Sequence, residues 1–307
     1  MNSFDTPEEV LYNGIININK EKGFTSHDVV AKLRGILKQK KIGHTGTLDP
    51  DATGVLPVCL GNGTRLCDLL TDKVKEYEAV MVLGVTTDTE DMSGNILSRN
   101  EVKVSEEDVR DSIMSFVGEY GQIPPMYSAI KINGKKLYEL AREGKVIERK
   151  ARTVVINRIQ IISIDLPRVT FRVNCGKGTY IRSLCRDIGD KLLCGACMES
   201  LVRTQSGIFT LEESYLLSDV EKFVNTGEID KIIYPVDSVF AEYPEILVED
   251  RDSFLVSNGN RFPVESRNVK GKVRVYRKTD TGRVFAGIYE SDAQGFYVPV
   301  KMFQNGE

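Results

Sequence analysis

The sequence predicts an α+β fold followed by a small β-rich domain. Through residue 242, segments typical of strands come in runs with helical segments inserted, without the strict strand–helix alternation of a parallel α/β sheet. From residue 243 onward, short apolar segments alternate with Gly-containing turns, as in a small barrel or sandwich. A chain of 307 residues has room for both. We therefore expect a central mixed, mainly antiparallel sheet in residues 1–242 and a β domain in residues 243–307.

The first elements are predicted by apolar spacing and by a capping signal. Residues Gly14–Asn19 are typical of a short strand, and Lys20–Phe24 of a turn. A helix is expected to begin at Thr25 or Ser26, with Asp28 placed for a capping box. The residues that share its apolar face are Val29, Val30, Leu33, Ile36 and Leu37.

The next segments contain two predicted helices and a strand. Residues Thr64–Leu70 are expected to form a short helix that buries Leu66, Leu69 and Leu70. Residues Lys75–Leu83 alternate as a strand does, with Tyr77, Ala79, Met81 and Leu83 on one face. Ser105 and Asp108 form a second capping box, and Gly118 is expected to close that helix.

A basic arm is predicted at residues 124–152. An extended run leads into Asn133-Gly134, a strong hairpin signal, and a short helix carrying Leu137, Leu140 and Ala141 ends near Gly144. The segment is rich in Lys and Arg, so we expect it to project from the body of the protein.

Two antiparallel strands and a helix complete the large domain. The strands are predicted at Thr153–Ile164 and Val169–Cys175. Residues 176–179 open a helix with Tyr180 and Arg182 in its first turn and with Ile181, Leu184, Ile188 and Leu192 buried. Tyr243-Pro244 is the expected domain boundary, and the turns beyond it fall at Asn258-Gly259, Lys270-Gly271, Thr281-Gly282 and Gln294-Gly295.

The central loop, Gly43–Pro57, is the strongest candidate for a functional site. Its three glycines and two prolines argue against a regular helix or strand, and flanking apolar and basic segments support it. It presents short polar side chains, among them Asp49 and one of the two histidines of the chain, His44. A tight turn in which Asp49 merely caps the backbone is the alternative, and the loop's length and its histidine favour function.

Composition and charge limit the partners. The formal net charge is −3, yet three segments are strongly basic, namely 20–41, 131–152 and 261–278. Local basic surfaces on a mildly acidic protein suit a polyanion, although solvated faces without a partner are the alternative. The sequence has no apolar run long enough to span a bilayer and no signal-peptide pattern, so we expect a cytoplasmic protein without membrane contact.

The cysteines predict neither a metal site nor a redox centre. The pair Cys194-Gly-Ala-Cys197 lacks the second ligand pair that a zinc site needs. It also follows a helical pattern, whereas a redox motif follows a strand and opens a helix. The sequence contains no Walker motif, and Gly176-Lys-Gly178 is too short for a nucleotide fingerprint. We expect no cofactor and no metal.

The central loop and three further motifs resemble the bacterial tRNA pseudouridine synthases of the TruB family. The loop reads Gly-His-Thr-Gly-Thr-Leu-Asp-Pro-Asp-Ala-Thr-Gly-Val-Leu-Pro, and the resemblance extends from Gly14 to about Phe209. The supporting motifs, in matching order, are Lys75-Glu76-Tyr77, the run from Pro124 to Lys131, and the run from Lys177 to Leu184. The C-terminal part looks like the RNA-binding PUA domain. The resemblance implies a pseudouridine synthase fold with a PUA-like domain.

The resemblance also implies a reaction and roles for its residues. Uridine 55 in the T-arm of tRNA would be flipped out, lose its N1–C1′ bond, turn, and rejoin through C5. Asp49 would act on the ribose or on the uracil ring, and which atom it attacks stays open. Arg182 would pair with Asp49, and Tyr77 would stack on the base and is also a candidate to take the proton from C5. The remaining implied contacts are Tyr180 and Leu201 in the base pocket, His44 in the gap left in the RNA stack, and Lys20 in support of the site.

Several alternatives remain open from the sequence. A non-catalytic RNA-binding or RNA-folding protein would not need Asp49, Tyr77 and Arg182 together. A synthase for another RNA is a nearer rival, but the continuous basic arm favours the stand-alone bacterial type, a monomer without a required protein partner. A hydrolase with Asp49 and Asp51 as paired carboxylates has no defined separation. Two departures from the family pattern are Lys20-Glu21-Lys22-Gly23, where the second residue is usually Pro, and Cys197, where His is common.

Overall fold

The computed structural model describes residues 11–132, 134–264, 269–280 and 282–303, so Asn133 and Thr281 of the predicted turns lie outside the described residues. The first thirteen strands are β1 (Gly14–Lys20), β2 (Ile42–His44), β3 (Thr53–Leu60), β4 (Lys75–Leu83), β5 (Val85–Thr87), β6 (Ile96–Arg99), β7 (Gly118–Gln122), β8 (Lys131–Ile132), β9 (Lys135–Lys136), β10 (Arg152–Asp165), β11 (Arg168–Cys175), β12 (Ala196–Ser206) and β13 (Phe209–Thr210). The last five are β14 (Glu245–Val248), β15 (Phe262–Pro263), β16 (Lys272–Thr279), β17 (Gly282–Ser291) and β18 (Phe296–Met302).

Helices alternate irregularly with these strands. The α-helices are α1 (Ser26–Leu37), α2 (Cys67–Thr71), α3 (Glu106–Met114), α4 (Leu137–Arg142), α5 (Ile181–Lys191), α6 (Leu217–Asn225) and α7 (Asp250–Ser257). Short 3-10 helices occur at Gly61–Leu66, Ile229–Ile232 and Val236–Phe240. No helix in the described part of the chain is long and apolar enough to cross a membrane.

A nine-stranded sheet organises the large domain. Its main order is β1-β3-β12-β4-β11-β10-β7, with β2 on β3 and β13 on β12. The β3–β12 pair is parallel and the other pairs are antiparallel, which confirms the predicted mixed, mainly antiparallel sheet. One apolar cluster packs α3 and α5 against the sheet, and another packs α1 and α6. Helices therefore cover the sheet in two separate places, as expected of an α+β domain.

The C-terminal strands form a second sheet in the order β14-β16-β17-β18-β15, consistent with the predicted PUA-like domain. Its own core surrounds Tyr289 and Tyr297. A further cluster crosses the predicted boundary, since Phe240 contacts the rings of Phe285 and Phe303 and the cluster reaches Ile15 in β1. The β domain is thus packed against the large domain by shared apolar side chains.

The central loop is partly regular, so its prediction as wholly irregular is wrong. His44 ends β2, and Thr53 begins β3, which leaves residues 45–52 irregular. Gly54 is a strand residue with φ +102°, and a Cβ there would lie 2.3 Å from the Arg203 carbonyl oxygen. The glycine therefore permits the close parallel approach of β3 and β12, which is a tertiary requirement that the local sequence does not reveal.

Other local predictions are mixed. The capping boxes of α1 (Thr25 with Asp28) and α3 (Ser105 with Asp108) are confirmed. Leu69, predicted to be buried, is 39% exposed in the short helix α2, where Leu70 is the buried residue. Gly118 opens β7 instead of closing α3, which ends at Met114. Helices α6 and α7 and strand β12 were not predicted.

Candidate active site

Asp49 lies at the turn of the irregular part of the central loop. Its backbone carbonyl accepts a hydrogen bond from the Ala52 amide at 3.1 Å, and both Leu48 and Ala52 are buried in the core of the large sheet. The Ser26 hydroxyl in α1 accepts from the Leu48 amide at 2.9 Å. These anchors on each side hold Asp49 in place, and its side chain stays 38% exposed. The geometry suits a carboxylate that must meet a substrate.

Lys20 holds the central loop through hydrogen bonds to backbone carbonyl oxygens. The ammonium is fully buried and donates to the carbonyl oxygens of Phe24 at 2.7 Å, Pro50 at 3.0 Å and Glu21 at 3.1 Å. Burial lowers the pKa of Lys20 to about 8, although the carboxylates of Asp49 and Asp51 oppose that shift. The turn therefore fixes Pro50, next to Asp49, without the proline that the family usually has after the lysine.

Arg182 is the partner of Asp49 in this structure. It lies in the first turn of α5, where its side chain is 6% exposed. Nε lies 2.9 Å from Asp49 Oδ2, and Nη2 donates to Oδ1 at 3.2 Å, so the contact is two-pronged. Nη1 donates to the Thr89 carbonyl at 3.0 Å and Nη2 to the Tyr127 carbonyl at 2.9 Å. The guanidinium is thus held by three separate segments of the chain.

The electrostatics of Asp49 reflect two opposing effects. Burial raises the pKa of the Asp49 carboxyl, and the Arg182 guanidinium is the main influence that lowers it. A second carboxylate, Asp91, lies 3.7 Å from Arg182 Nε and raises the pKa of Asp49 further. A carboxyl in this position depends on Arg182 to stay ionised.

Sequence reasoning missed the segment that carries Asp91. Residues 88–95, here called the acidic loop, join β5 to β6 and place Thr89 and Asp91 on either side of the Arg182 guanidinium. The Asp91 carboxylate accepts from the Thr89 hydroxyl at 2.8 Å and from the Ser93 amide at 3.0 Å. The acidic stretch was visible in the sequence, but its composition is also typical of a solvated loop.

Tyr77 and Leu201 lie on neighbouring strands of the large sheet. Tyr77 in β4 is buried and pairs in register with Arg203 in β12, while Leu201 pairs with Ala79. Burial raises the pKa of the Tyr77 phenol, against the effect of the Arg203 guanidinium. Tyr77 and Leu201 belong to the same apolar cluster as Leu48, so both lie close to the central loop.

Arg203 is a second residue that the sequence did not single out. It is buried, and its Nε donates to the Val55 carbonyl at 2.6 Å while Nη2 donates to the Gly46 carbonyl at 3.3 Å. These contacts tie the central loop to β12. A buried arginine in a strand gives no local signal, because its partners lie about 150 residues away along the chain.

Tyr180 is the residue before α5, and its backbone is clamped by Gln122 of β7. The Gln122 amide accepts from the Tyr180 amide at 2.8 Å and donates to the Tyr180 carbonyl at 3.0 Å. Burial raises the pKa of the half-buried Tyr180 phenol, and the nearby Ser128 side chain and Arg182 guanidinium oppose that shift. The clamp fixes Tyr180 two residues before Arg182.

His44 lies at the end of β2, five residues before Asp49 along the chain. Its Nδ1 accepts from the Gly46 amide at 3.3 Å, and its ring meets that of His27 edge-on with centroids 5.2 Å apart. Burial, together with the positive field of His27 and Arg203, lowers the pKa of His44 to about 4. The imidazole is therefore neutral at neutral pH and can lie against an aromatic base.

The cysteines occupy apolar positions. All six are free thiols, and Cys194 and Cys197 are buried. Across the described residues, no group of three or more His, Cys, Asp or Glu side chains is arranged to hold a metal ion.

Family models match most of the large domain. Residues 34–181 match the model described as "TruB family pseudouridylate synthase (N terminal domain)". Residues 182–241 match "tRNA pseudouridylate synthase B C-terminal domain". The junction between the two falls at Arg182, so the candidate site spans both.

Curated relatives are similar over nearly their whole length. The tRNA pseudouridine synthase B of Lachnoclostridium phytofermentans is 54% identical, over 95% of this chain and 99% of its own. The enzymes of the same name from Clostridium acetobutylicum and Bacillus cereus are 47% and 38% identical, over 93% and 96% of this chain and 98% of each relative. A solved Cbf5–Nop10–Gar1 complex contains a chain that is 30% identical with a TM-score of 0.70, covering 95% of this chain and 85% of that one.

Proposed function

The chain belongs to the TruB family of pseudouridylate synthases, and on that premise we propose that Asp49 and Arg182 form the centre at which it isomerises uridine 55 in the T-arm of tRNA. The protein is an isomerase that acts on tRNA. The observation that supports the proposed centre is the two-pronged contact between a partly exposed carboxylate and a buried guanidinium. An ion pair of this kind keeps a catalytic carboxylate charged.

The reaction rearranges bonds within one nucleotide. The N1–C1′ bond breaks, the uracil turns, and the C5–C1′ bond forms while C5 loses a proton and N1 gains one, so no redox equivalent is consumed. A base inside a folded arm must first leave the stack, which costs a few kcal/mol. Stacking on an aromatic ring contributes about 1–3 kcal/mol per base and can offset that cost.

The side chains around Asp49 are assigned different roles in the reaction. We assign Asp49 the attack on the ribose or on the uracil ring. Tyr77, on the strand beside the loop, would stack on the base; its raised pKa keeps the phenol protonated at neutral pH and favours stacking over proton removal. Tyr180 and Leu201 would line the base pocket, and neutral His44 would fill the vacated place in the RNA stack.

The basic arm is the proposed clamp on the T-arm phosphates. It spans residues 124–152 and contains the β8–β9 hairpin and α4, with a small apolar cluster of Met126, Leu137 and Leu140. Lys135 and Lys145 stay largely exposed although both lie near Glu143. Because Tyr127 in the arm accepts a bond from Arg182, the arm reaches the catalytic pair directly. RNA on the arm would therefore lie beside Asp49.

The remaining assignments concern the domains, the oligomeric state and the cellular location. We propose a catalytic domain at residues 1–242 and an RNA-binding PUA-like domain at residues 243–307. The continuous arm and the site built from one chain favour a monomer that acts in the cytoplasm without a required protein partner. The Cbf5 relative was solved in complex with Nop10 and Gar1.

The test is mass mapping of pseudouridine in tRNA incubated with the purified protein. Asp49→Asn should abolish conversion at position 55 while tRNA binding stays near wild type. Asp51→Asn is the matched control, since Asp51 is exposed on the same loop, and it should retain conversion. Turnover by Asp49→Asn above a contamination control, or release of free uracil by the wild type, would contradict the assignment.

A further inference from the structure

Glu90, in the acidic loop, has a backbone that is unusual for its residue type. Its φ is +64°, in the left-handed region that side chains other than glycine rarely adopt. Its side chain is only 11% exposed, although it is a carboxylate on a surface loop. Both features cost free energy, so contacts elsewhere must hold the residue in this conformation.

Those contacts join Glu90 to the helix that carries Arg182. One carboxylate oxygen accepts from the Ser183 hydroxyl at 2.6 Å, and the other contacts the Arg186 guanidinium. Ser183 follows Arg182 directly, and Arg186 lies one turn further along α5. The Glu90 backbone is fixed too, because its carbonyl accepts from the Met198 amide in β12 at 3.0 Å.

The residues on either side of Glu90 are those that contact Arg182. Thr89 accepts from Nη1 with its carbonyl, and Asp91 presents its carboxylate to Nε. Glu90 therefore binds the helix at Ser183 and Arg186 while its neighbours bind the helix at Arg182. A shift of Glu90 would move both groups that orient the guanidinium.

We propose that Glu90 is a positioning residue for the isomerisation, acting through Thr89, Asp91 and Arg182 on the orientation of the Asp49 carboxylate. The inference rests on the proposed function of Asp49 and Arg182 and adds a residue that touches neither substrate nor Asp49. Arg186 extends the network, since its Nη2 donates to the Ile123 carbonyl at 3.0 Å, next to the root of the basic arm.

The first variant is Glu90→Gln, which keeps the size of the side chain and an acceptor for Ser183 but removes the charge that faces Arg186. We expect the single-turnover rate at saturating tRNA to fall about ten- to a hundredfold, as for the loss of one charged hydrogen bond. The dissociation constant for tRNA and the melting temperature should stay close to wild type. A purely structural role would instead lower the melting temperature and the affinity together.

Arg186→Met and the double variant Glu90→Gln/Arg186→Met test whether Glu90 and Arg186 act as one unit. If they do, Arg186→Met should lower the rate similarly, and the double variant should be no slower than the slower single variant. Glu199→Gln is the matched control, because it breaks another Arg–carboxylate pair, with Arg168 at 2.9 Å. It should leave the rate unchanged.

A second variant tests the inference in case Glu90→Gln folds poorly. Ser183→Ala removes one hydroxyl that contacts Glu90, and it should lower the single-turnover rate without changing tRNA affinity. A wild-type rate in Glu90→Gln or Ser183→Ala, or additive losses in the double variant, would overturn the inference. Asp49→Asn in the same assay separates the two proposals: if it is inactive while Glu90→Gln is normal, the proposed function stands and this inference fails.

Discussion

Methionine at position 182 would leave an apolar side chain where the structure has a buried guanidinium. The change removes both prongs of the Asp49 contact and the bonds to the Thr89 and Tyr127 carbonyls. It also leaves Asp49 and Asp91, whose charges repel, without the cation between them. Lysine at the same position keeps the charge but loses the planar two-pronged contact.

The size of the rate loss in Arg182→Met follows from the burial of the Asp49–Arg182 ion pair. Removing one partner of a buried ion pair costs about 3–5 kcal/mol, and the 38% exposure of the Asp49 side chain places this pair at the lower end. If the transition state loses about 3 kcal/mol of stabilisation with this ion pair, the rate falls roughly a hundredfold. Arg182→Met should therefore be nearly inactive. Arg182→Lys, which loses about one charged hydrogen bond, should fall roughly tenfold.

The pH dependence of the Arg182→Met rate follows from the pKa of Asp49. Burial already raises the pKa of Asp49, and Arg182 is the main influence that lowers it, so Arg182→Met raises that pKa further. The ionised fraction of Asp49 then grows with pH across a higher range than in the wild type. We expect the residual rate of Arg182→Met to climb with pH where the wild-type rate is already level.

The assay is the single-turnover rate at saturating tRNA, measured against pH for the wild type and both variants. Melting temperature and tRNA affinity serve as controls for folding and binding. A wild-type rate in Arg182→Met would refute the reasoning. A low rate that does not change with pH would show that Arg182 acts otherwise than by keeping Asp49 ionised.

Three further predictions concern RNA contacts. Reversal of Lys135 and Lys136 to Glu should weaken tRNA binding and flatten its dependence on salt, because fewer phosphates are neutralised; binding is measured over a salt series. Deletion of residues 245–307 should lower affinity more than the rate at saturating tRNA, and should lower the melting temperature because Phe240 loses Phe285 and Phe303. The His44 imidazole should titrate near pH 4 by NMR and stay neutral during tRNA binding at neutral pH.

Each of these has a contrary outcome. An unchanged salt slope would place the phosphates away from the β8–β9 hairpin. A truncated protein with normal affinity would remove the C-terminal domain from RNA binding, and an unchanged melting temperature would contradict the shared core. Titration of His44 near neutral pH would mean that burial does not control its charge.

Local signals predicted the elements that local contacts determine. The capping boxes of α1 and α3 need residues three apart, and the alternation of β4 needs only its own side chains. The placement of Asp49 beside Arg182 came from the family resemblance, because 133 residues separate them along the chain. No spacing rule covers such a distance.

The missed features share a physical cause. Glu90, Asp91, Arg203 and Gln122 have roles set by distant partners, whereas the sequence around each is typical of an ordinary loop or strand. The prediction of an irregular loop at Gly54 was wrong for the same reason, since this glycine permits the close approach of β12 and does not form a local turn. Helix α7 lacks a clear apolar stripe, with Phe254 exposed and Val256 buried.

The aromatic cluster across the domain boundary has a consequence for how this protein can be altered. Phe285 lies in β17 and Phe303 directly follows β18, while Phe240 and Ile15 belong to the large domain, so a single core is built from both ends of the chain. Recombination that exchanged the C-terminal domain for an unrelated one would leave the large-domain side of that core without its counterpart. A functional chimera would have to carry matching aromatic side chains in the incoming domain, which ties the inheritance of the C-terminal domain to that of the large domain.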